Sequence, residues 1–171
     1  MRTTRKLIHL RGRFNRDMVK SFKQQARKIF ADHQEKAAPL NFVIRVNSRG
    51  GNIFIMNVLS AFVYYLAKYR KCTFVIQIEQ AQSAALIFAL NIPVREATIA
   101  SVALIHLPVP APGEVPSGDA IDVKQKQAIQ FIGERTKLSH DQVAEFNNVL
   151  IHGKQLVEYG IATTIVEAFE P

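Results

Sequence analysis

The pattern of hydrophobic and polar residues predicts alternating strands and helices along most of the chain. Residues 6–11 alternate apolar and polar positions as a strand does, and residues 17–31 place apolar residues at helical spacing. The runs LNFVIRV and KCTFVIQIE read as buried strands, each followed by an apolar helical run, and ATIASVALIHLP supplies a fourth strand. This alternation predicts an α/β fold built from βαβ units, with a mainly parallel sheet covered by helices.

The pattern changes after the fourth strand. Residues 108–118, PVPAPGEVPSG, hold four prolines and two glycines, which predicts an extended loop. Two further helices are predicted over residues 119–137 and 138–151, with Ser139 as the N-cap of the second. A short helix, a glycine and a last strand then follow in LVEYGIATTIVEAF. We therefore predict one domain over residues 1–171.

Composition favours a cytoplasmic protein with no membrane partner. The only cysteine, Cys72, cannot form an internal disulfide, and its apolar neighbours favour a buried structural thiol over a reactive one. The basic N-terminus MRTTRKLIHLRGRF has no apolar core of the length that a signal peptide needs. The longest nearly apolar stretch, residues 53–67, is 15 residues long and falls short of the roughly 20 that span a bilayer.

The net charge of +8 lies entirely in the N-terminal part of the chain. Residues 1–36 hold 11 Lys or Arg against 3 Asp or Glu, and residues 37–171 hold 11 of each. Such clustering occurs in proteins that bind nucleic acid or acidic partners, and also on ordinary solvated helix faces. No nucleic-acid fingerprint accompanies the cluster, so we predict the solvated face and no nucleic-acid partner.

Neither a metal nor a cofactor is predicted. The five histidines, at positions 9, 33, 106, 140 and 152, lack ligand spacing with cysteines or carboxylates. No GxxxxGK loop occurs, so any dependence on ATP has to come from a partner.

Three features fall where predicted strands end: the Gly50–Gly51 pair, Ser83 and His106. Groups at the carboxyl edge of a parallel sheet can converge in space. A serine at a helix N-terminus can attack a carbonyl when a histidine takes its proton, and free backbone amides such as that of Ala84 can stabilise the oxyanion. Each feature also has an ordinary interpretation, as a turn, a helix cap and a structural histidine, and these residues alone leave both open.

Four stretches resemble one protein family. VNSRGGN, EQAQSAALIFAL, ALIHLP and VEYGI follow each other with gaps similar to those between INSPGG, GQAASMGA, IHQP and VEYGL in ClpP, the proteolytic subunit of the Clp protease. The resemblance extends from about residue 7 to residue 165. It implies the fold of the ClpP and crotonase superfamily, with repeated ββα and βαβ units.

The resemblance also implies an activity and its residues. The ClpP nucleophile falls on Ser83, the general base on His106, and the oxyanion donors on the backbone amides of Gly51 and Ala84. A chain of this kind is expected to be a serine endopeptidase that hydrolyses unfolded polypeptides through an acyl-enzyme.

The third member of the catalytic set departs from the family pattern. The triad aspartate falls on Asn148, in a segment about two residues shorter than usual. An asparagine can orient an imidazole but carries no charge to stabilise the imidazolium. The nearest carboxylates, Asp141 and Glu145, are expected to be solvated. Arg49 stands where the family usually has proline, and it either reshapes the substrate groove or is an ordinary turn residue.

The resemblance finally implies a homo-oligomeric ring, in the family a heptamer, and an AAA+ ATPase partner. The ring-to-ring handle of ClpP corresponds here to residues 108–137, in which a proline-rich loop precedes residues 119–137, and this last stretch is more than two helical turns shorter than in the family. Only MRTTRK precedes the first strand. Double-ring assembly and docking of the ATPase are therefore left open. Two other functions are also weighed: a non-catalytic ClpP-like subunit for assembly or regulation, and a crotonase-type acyl-CoA enzyme, which the Ser83 and His106 pair disfavours.

Overall fold

A mainly parallel sheet organises the described part of the chain, which in this computed structural model comprises residues 5–33, 39–109 and 118–169. The strands there are β1 Arg5–Arg11, β2 Asn41–Ser48, β3 Thr73–Gln82, β4 Val94–Leu104, β5 Leu150–His152 and β6 Thr164–Ile165. The helices there are α1 Arg16–Ala31, α2 Ile53–Arg70, α3 Ala84–Leu90, α4 Gly118–Arg135, α5 His140–Glu145 and α6 Lys154–Glu158.

The sheet order confirms the predicted α/β class. The strands follow the order β1-β2-β3-β4-β5, with β6 also beside β4, and β5 is the antiparallel strand. Since β1 to β4 lie in sequence order with a helix between successive strands, right-handed crossovers put α1, α2 and α3 on the same face. Most of the proline-rich segment 108–118, and of the N-terminal MRTTRK, lies outside the described residues.

The prediction of a helix over residues 138–151 is wrong beyond Glu145. Ser139 caps α5 as predicted, but the chain then turns, and Asn148 adopts a left-handed φ of 66°. Its amide donates to the carbonyl of Ile105 (2.8 Å), and β5 then pairs with β4. Hydrogen bonds to the free edge of β4 override the helical spacing of this segment, because they satisfy backbone groups of both partners.

The hydrophobic core lies between the sheet and these helices. Phe22 of α1, Leu59 of α2 and Phe88 of α3 are fully buried, as are Ile44 and Ile76 on the facing side of the sheet. The apolar stretch 53–67 that the sequence singles out is most of α2, which is buried along one side. No helix within the described ranges is long and apolar enough to cross a membrane.

The opposite face of the sheet carries a row of polar side chains. Arg45, Gln77 and Glu96 are in register on neighbouring strands, and each is at least nine-tenths buried. Arg45 Nε donates to Gln77 Oε1 (2.9 Å), and Gln77 Nε2 donates to Glu96 Oε2 (3.0 Å). Arg5 pairs with the other oxygen of Glu96 (3.1 Å). The row is tolerated because its charges and polar groups are paired.

His9 extends this row and predicts a pH dependence of stability. Partial burial, with the guanidinium groups of Arg11 and then Arg45, lowers the pKa of His9 below its usual value, against the opposite effect of Glu79. The unfolded chain therefore takes up a proton at a higher pH than the folded chain does. We expect stability to be full above pH of about 6.5 and to fall as the pH drops from there towards the folded pKa.

The measurement is the unfolding midpoint in urea between neutral and mildly acidic pH. His9→Gln is expected to flatten this part of the profile, while the same change at His152, which is exposed on β5, leaves it in place. An unchanged slope in His9→Gln would refute the assignment.

Candidate active site

Ser83 occupies a sharp turn between β3 and α3. Its φ of 51° and ψ of −125° lie in a region that residues with a side chain rarely adopt. Ser83 stands at the N-cap position of α3, yet its side chain makes no capping hydrogen bond. Its Oγ instead lies 3.5 Å from Nδ1 of His106. The strained turn thus presents the hydroxyl to a histidine, as a nucleophile elbow does, and the capping role does not hold.

Gly50 allows the loop after β2 to approach this serine. A Cβ at Gly50 would lie 2.7 Å from the carbonyl oxygen of Gln82 and 2.9 Å from Cβ of Ser83. The φ of Gly50 is also positive, at 90°. Its amide donates to Oγ of Ser48 (3.0 Å), which is buried. The close contact and the backbone conformation both require glycine at this position.

Phe14 fixes the direction of the Gly51 amide. The Phe14 amide donates to the carbonyl of Gly50 (2.9 Å), and the carbonyl of Phe14 accepts from the amide of Asn52 (3.0 Å). In such a parallel bridge the residue between the two bonded groups directs its own N–H to the other side. Because β3 and Ser83 lie on that other side of β2, the Gly51 amide is directed towards the serine.

The amide of Ala84 is the second candidate donor. Ala84 is the first residue of α3, so its N–H has no acceptor one turn earlier in the helix. The nitrogen lies 3.1 Å from the place of a Cβ on Gly50, against the glycine loop. Within the described chain, neither this amide nor that of Gly51 donates a hydrogen bond. Two free amides near a serine hydroxyl have the composition of an oxyanion hole.

His106 lies two residues beyond β4 and is held from both sides. Ile105 and Leu107, its neighbours, are buried. The carbonyl of Leu104 accepts from the amide of Ser83 (3.1 Å), which ties the end of β4 to the serine turn. The structure therefore joins Ser83 and His106, 23 residues apart in sequence, by backbone as well as side-chain geometry.

Asn147 holds the other side of this segment, and the sequence reasoning missed it. Its Oδ1 accepts from the amide of Leu107 (2.9 Å), while the Asn148 amide donates to the carbonyl of Ile105 (2.8 Å). The two asparagines thus bracket His106. The adjacent pair NN was the available signal, because asparagine commonly bonds to nearby backbone in turns.

Asn148 contacts the His106 segment through its backbone amide, and its side chain makes no hydrogen bond to His106. The side chain is exposed and makes no hydrogen bond within the described residues, and the imidazole presents Nδ1 to Ser83. Asp141 and Glu145 are exposed on α5, and neither is hydrogen bonded to His106. The third catalytic position assigned to Asn148 therefore stays a prediction, with no carboxylate bonded to the imidazole.

An open groove of about 780 Å³ passes over the serine and the histidine. Its lining residues are Gly12, Arg13, Asn47, Arg49, Gly50, Gly51, Gln80, Ser83, Leu104 and His106. Arg49 therefore belongs to the groove, although it is exposed. No aspartate or glutamate lines the groove among the described residues, and no cluster of metal-ligating side chains is found in these ranges.

The fold of the chain is similar to that of solved ClpP1 structures. ClpP1 from Listeria monocytogenes shares 18% identity with a TM-score of 0.75, over 96% of this chain and 92% of that chain. A mutant of that ClpP1, with an asparagine replaced by aspartate, gives 17% identity and a TM-score of 0.76, over 95% and 92%. No family model matches this chain, and no curated protein matches it. The chain has a ClpP-like fold.

Proposed function

We propose that this chain with a ClpP-like fold is a serine endopeptidase that cleaves unfolded polypeptides inside an oligomeric chamber. One observation carries the proposal: a strained turn directs the Ser83 hydroxyl to His106 instead of using it as a helix cap. A serine that only capped α3 would not need a φ of 51°.

In the proposed reaction, Oγ of Ser83 attacks the carbonyl carbon of a peptide bond while His106 takes the hydroxyl proton. The oxyanion that forms accepts hydrogen bonds from the amides of Gly51 and Ala84, each of which typically contributes a factor of about 10²–10³ in rate. His106 then gives its proton to the leaving amine, and the acyl group remains on Ser83. A water molecule then attacks the acyl carbon while His106 takes its proton. The bond to Oγ breaks, His106 returns the proton to Oγ, and the acyl group leaves as a carboxylic acid.

The resting geometry is looser than this reaction requires. The distance of 3.5 Å between Oγ and Nδ1 is at the long limit of a hydrogen bond. Catalytic hydrogen bonds commonly tighten only when substrate or a partner is bound. We therefore propose that assembly or substrate binding shortens this contact and brings Asn148 to the imidazole.

The proposed assembly is a homo-oligomeric ring of the ClpP kind, a heptamer by the sequence resemblance, in the cytoplasm. The ClpP-like fold supports a ring. The proposed separate partner is an AAA+ ATPase, which the sequence resemblance to ClpP implies. Cys72, which is buried and unpaired, fits a reducing compartment.

The second candidate is a non-catalytic subunit that assembles with or regulates an active ClpP-like chain. The long contact between Ser83 and His106 and the exposed, uncharged side chain of Asn148 favour it. This candidate requires co-assembly with another ClpP-like chain and no hydrolysis by this chain alone.

Labelling by a fluorophosphonate distinguishes the two candidates. We expect the native assembled protein to gain one adduct per chain, because Ser83 is activated by His106 and the oxyanion amides. Intact-mass analysis measures the adduct, and Ser83→Ala is expected to lose it completely. Ser60→Ala, which changes a serine on α2 away from the groove, is expected to keep it.

The absence of an adduct, in a protein shown by circular dichroism and light scattering to be folded and oligomeric, would contradict the peptidase proposal. An adduct that persists in Ser83→Ala would place the activated nucleophile elsewhere.

A further inference from the structure

Two arginines give the groove a strong positive charge beside the proposed catalytic residues. Arg13 follows β1 and Arg49 follows β2, and both line the groove that contains Ser83 and His106. Arg13 is directly over the glycine loop, since its Cγ lies 3.0 Å from the place of a Cβ on Gly51. Arg49 is the residue before Gly50. Both cations therefore flank the place where a substrate carbonyl has to lie.

Neither arginine is neutralised within the described part of the chain. Arg13 and Arg49 form no ion pair, hydrogen bond or contact with an aromatic ring there. The groove lining holds no carboxylate among the described residues. Glu79 precedes the groove residue Gln80, but its carboxylate accepts from Asn47 (2.8 Å) and lies near Arg45 (3.9 Å). Asp17, four residues after Arg13, lies near Lys20 instead (3.7 Å).

Two arginines within the sheet, by contrast, have partners. Arg5 pairs with Glu96, and Arg45 bonds to Gln77. Two cations left without an anion in a concave site raise the local concentration of negative groups. The groove is therefore suited to a polypeptide that brings its own carboxylates.

We infer that the groove selects polypeptide segments that carry carboxylates next to the bond positioned at Ser83, with Arg13 and Arg49 as specificity-determining residues. The inference rests on the proposed function, because it assigns the substrate class of the same site. The carboxylates can be Asp and Glu side chains within a segment or the free C-terminus of a peptide, and both offer the same group to a guanidinium.

The test measures binding and does not depend on hydrolysis. Labelled peptides of equal length bind to assembled Ser83→Ala protein, and fluorescence anisotropy gives the dissociation constants. One peptide carries Asp and Glu in its centre, the second has Asn and Gln at the same positions, and the third has Lys. Each is made with a free and with an amidated C-terminus, which separates side-chain carboxylates from the terminal one.

We expect the acidic peptide to bind about tenfold more tightly than its amide counterpart at low ionic strength, since each exposed ion pair contributes up to about fivefold. The preference is expected to fall as salt rises, because both arginines are exposed and screened. The double variant Arg13→Gln and Arg49→Gln is expected to bind the two peptides equally. Arg27→Gln, at an exposed arginine on α1 outside the groove, is expected to retain the preference.

Equal binding of the acidic and amide peptides to the unchanged groove would overturn the inference. So would a preference that survives in the double variant, or one that disappears in Arg27→Gln. A tenfold preference in a protein that never reacts with a fluorophosphonate would support the inference while contradicting the peptidase proposal. Labelling of Ser83 without any preference for carboxylates would do the reverse.

Discussion

His106→Ala is expected to lower kcat/KM for peptide hydrolysis by about 10⁴-fold or more, while the protein remains folded. The reason is chemical: without an imidazole 3.5 Å from its Oγ, Ser83 has no group to take its proton, and a serine hydroxyl is a weak nucleophile at neutral pH. The side chain of His106 is half-buried, and its segment is fixed by backbone bonds that alanine keeps. Steady-state hydrolysis of a fluorogenic peptide measures the loss.

Substitutions at Asn148 are expected to change the rate much less than loss of His106, and this difference distinguishes the general base from the residue proposed to orient it. Asn148→Ala is expected to lower the rate less than about tenfold, because an uncharged amide that is brought to the imidazole can orient the ring but does not stabilise the imidazolium by charge. Asn148→Asp is expected to raise the rate, because a carboxylate brought to the ring by assembly or substrate binding stabilises the imidazolium. His152→Ala, which changes an exposed histidine on β5 outside the groove, serves as the control for the loss of a histidine elsewhere. Full activity in His106→Ala would remove His106 from the mechanism.

Gly50→Ala is expected to destabilise the protein by about 2–5 kcal/mol, from about 1–2 kcal/mol of backbone strain and a further 1–3 kcal/mol of overpacking. The backbone at Gly50 has a φ of 90°, and the new Cβ would meet the Gln82 carbonyl at 2.7 Å and Cβ of Ser83 at 2.9 Å. Neither is the end of a flexible side chain, so the loop and the serine turn have to separate. Since the separation moves the Gly51 amide from Ser83, fluorophosphonate labelling is expected to be lost as well.

Gly12 offers a matched control for the strain. Its φ is also 90°, but a Cβ there has no atom within 4 Å. Gly12→Ala is therefore expected to lower the free energy of unfolding only by the backbone contribution, about 1–2 kcal/mol. For a chain of this size, the two variants should differ in unfolding temperature by about 2–12 °C at equal protein concentration. Equal losses of stability in the two variants would mean that the close packing of Gly50 against Ser83 does not contribute to the cost of the Gly50 substitution.

The position of the glycine pair after β2 could be predicted from the sequence, but the separate roles of its two members could not. The pair Gly50–Gly51 was predicted to lie at the carboxyl edge of the sheet, because it follows a strand in a βαβ pattern. The two different tasks of the pair were not visible in the sequence. Gly50 is required by contact with Ser83, and Gly51 is oriented by Phe14, which lies more than 30 residues earlier in the chain.

The segment around Asn148 shows the opposite outcome. The apolar residues of 138–151 do recur at helical spacing, and this spacing predicted a helix to residue 151. The chain instead forms β5, which pairs with the free edge of β4. Local periodicity contains no information about which strand edge is left unpaired, so the ends of this helix and the roles of Asn147 and Asn148 could not be derived from it.

The sequence by itself determined the α/β class, the order of strands and helices as far as β4, and the candidate residues Gly51, Ser83, Ala84 and His106, because hydrophobic periodicity and glycine positions are local properties of a chain. The tertiary structure alone decided that Ser83 faces His106 and does not cap α3, that the Gly51 amide is directed towards it, and that Arg13 and Arg49 share its groove. These facts depend on hydrogen bonds and contacts between residues distant in sequence. Such contacts form only when the sheet brings the ends of its strands to one edge.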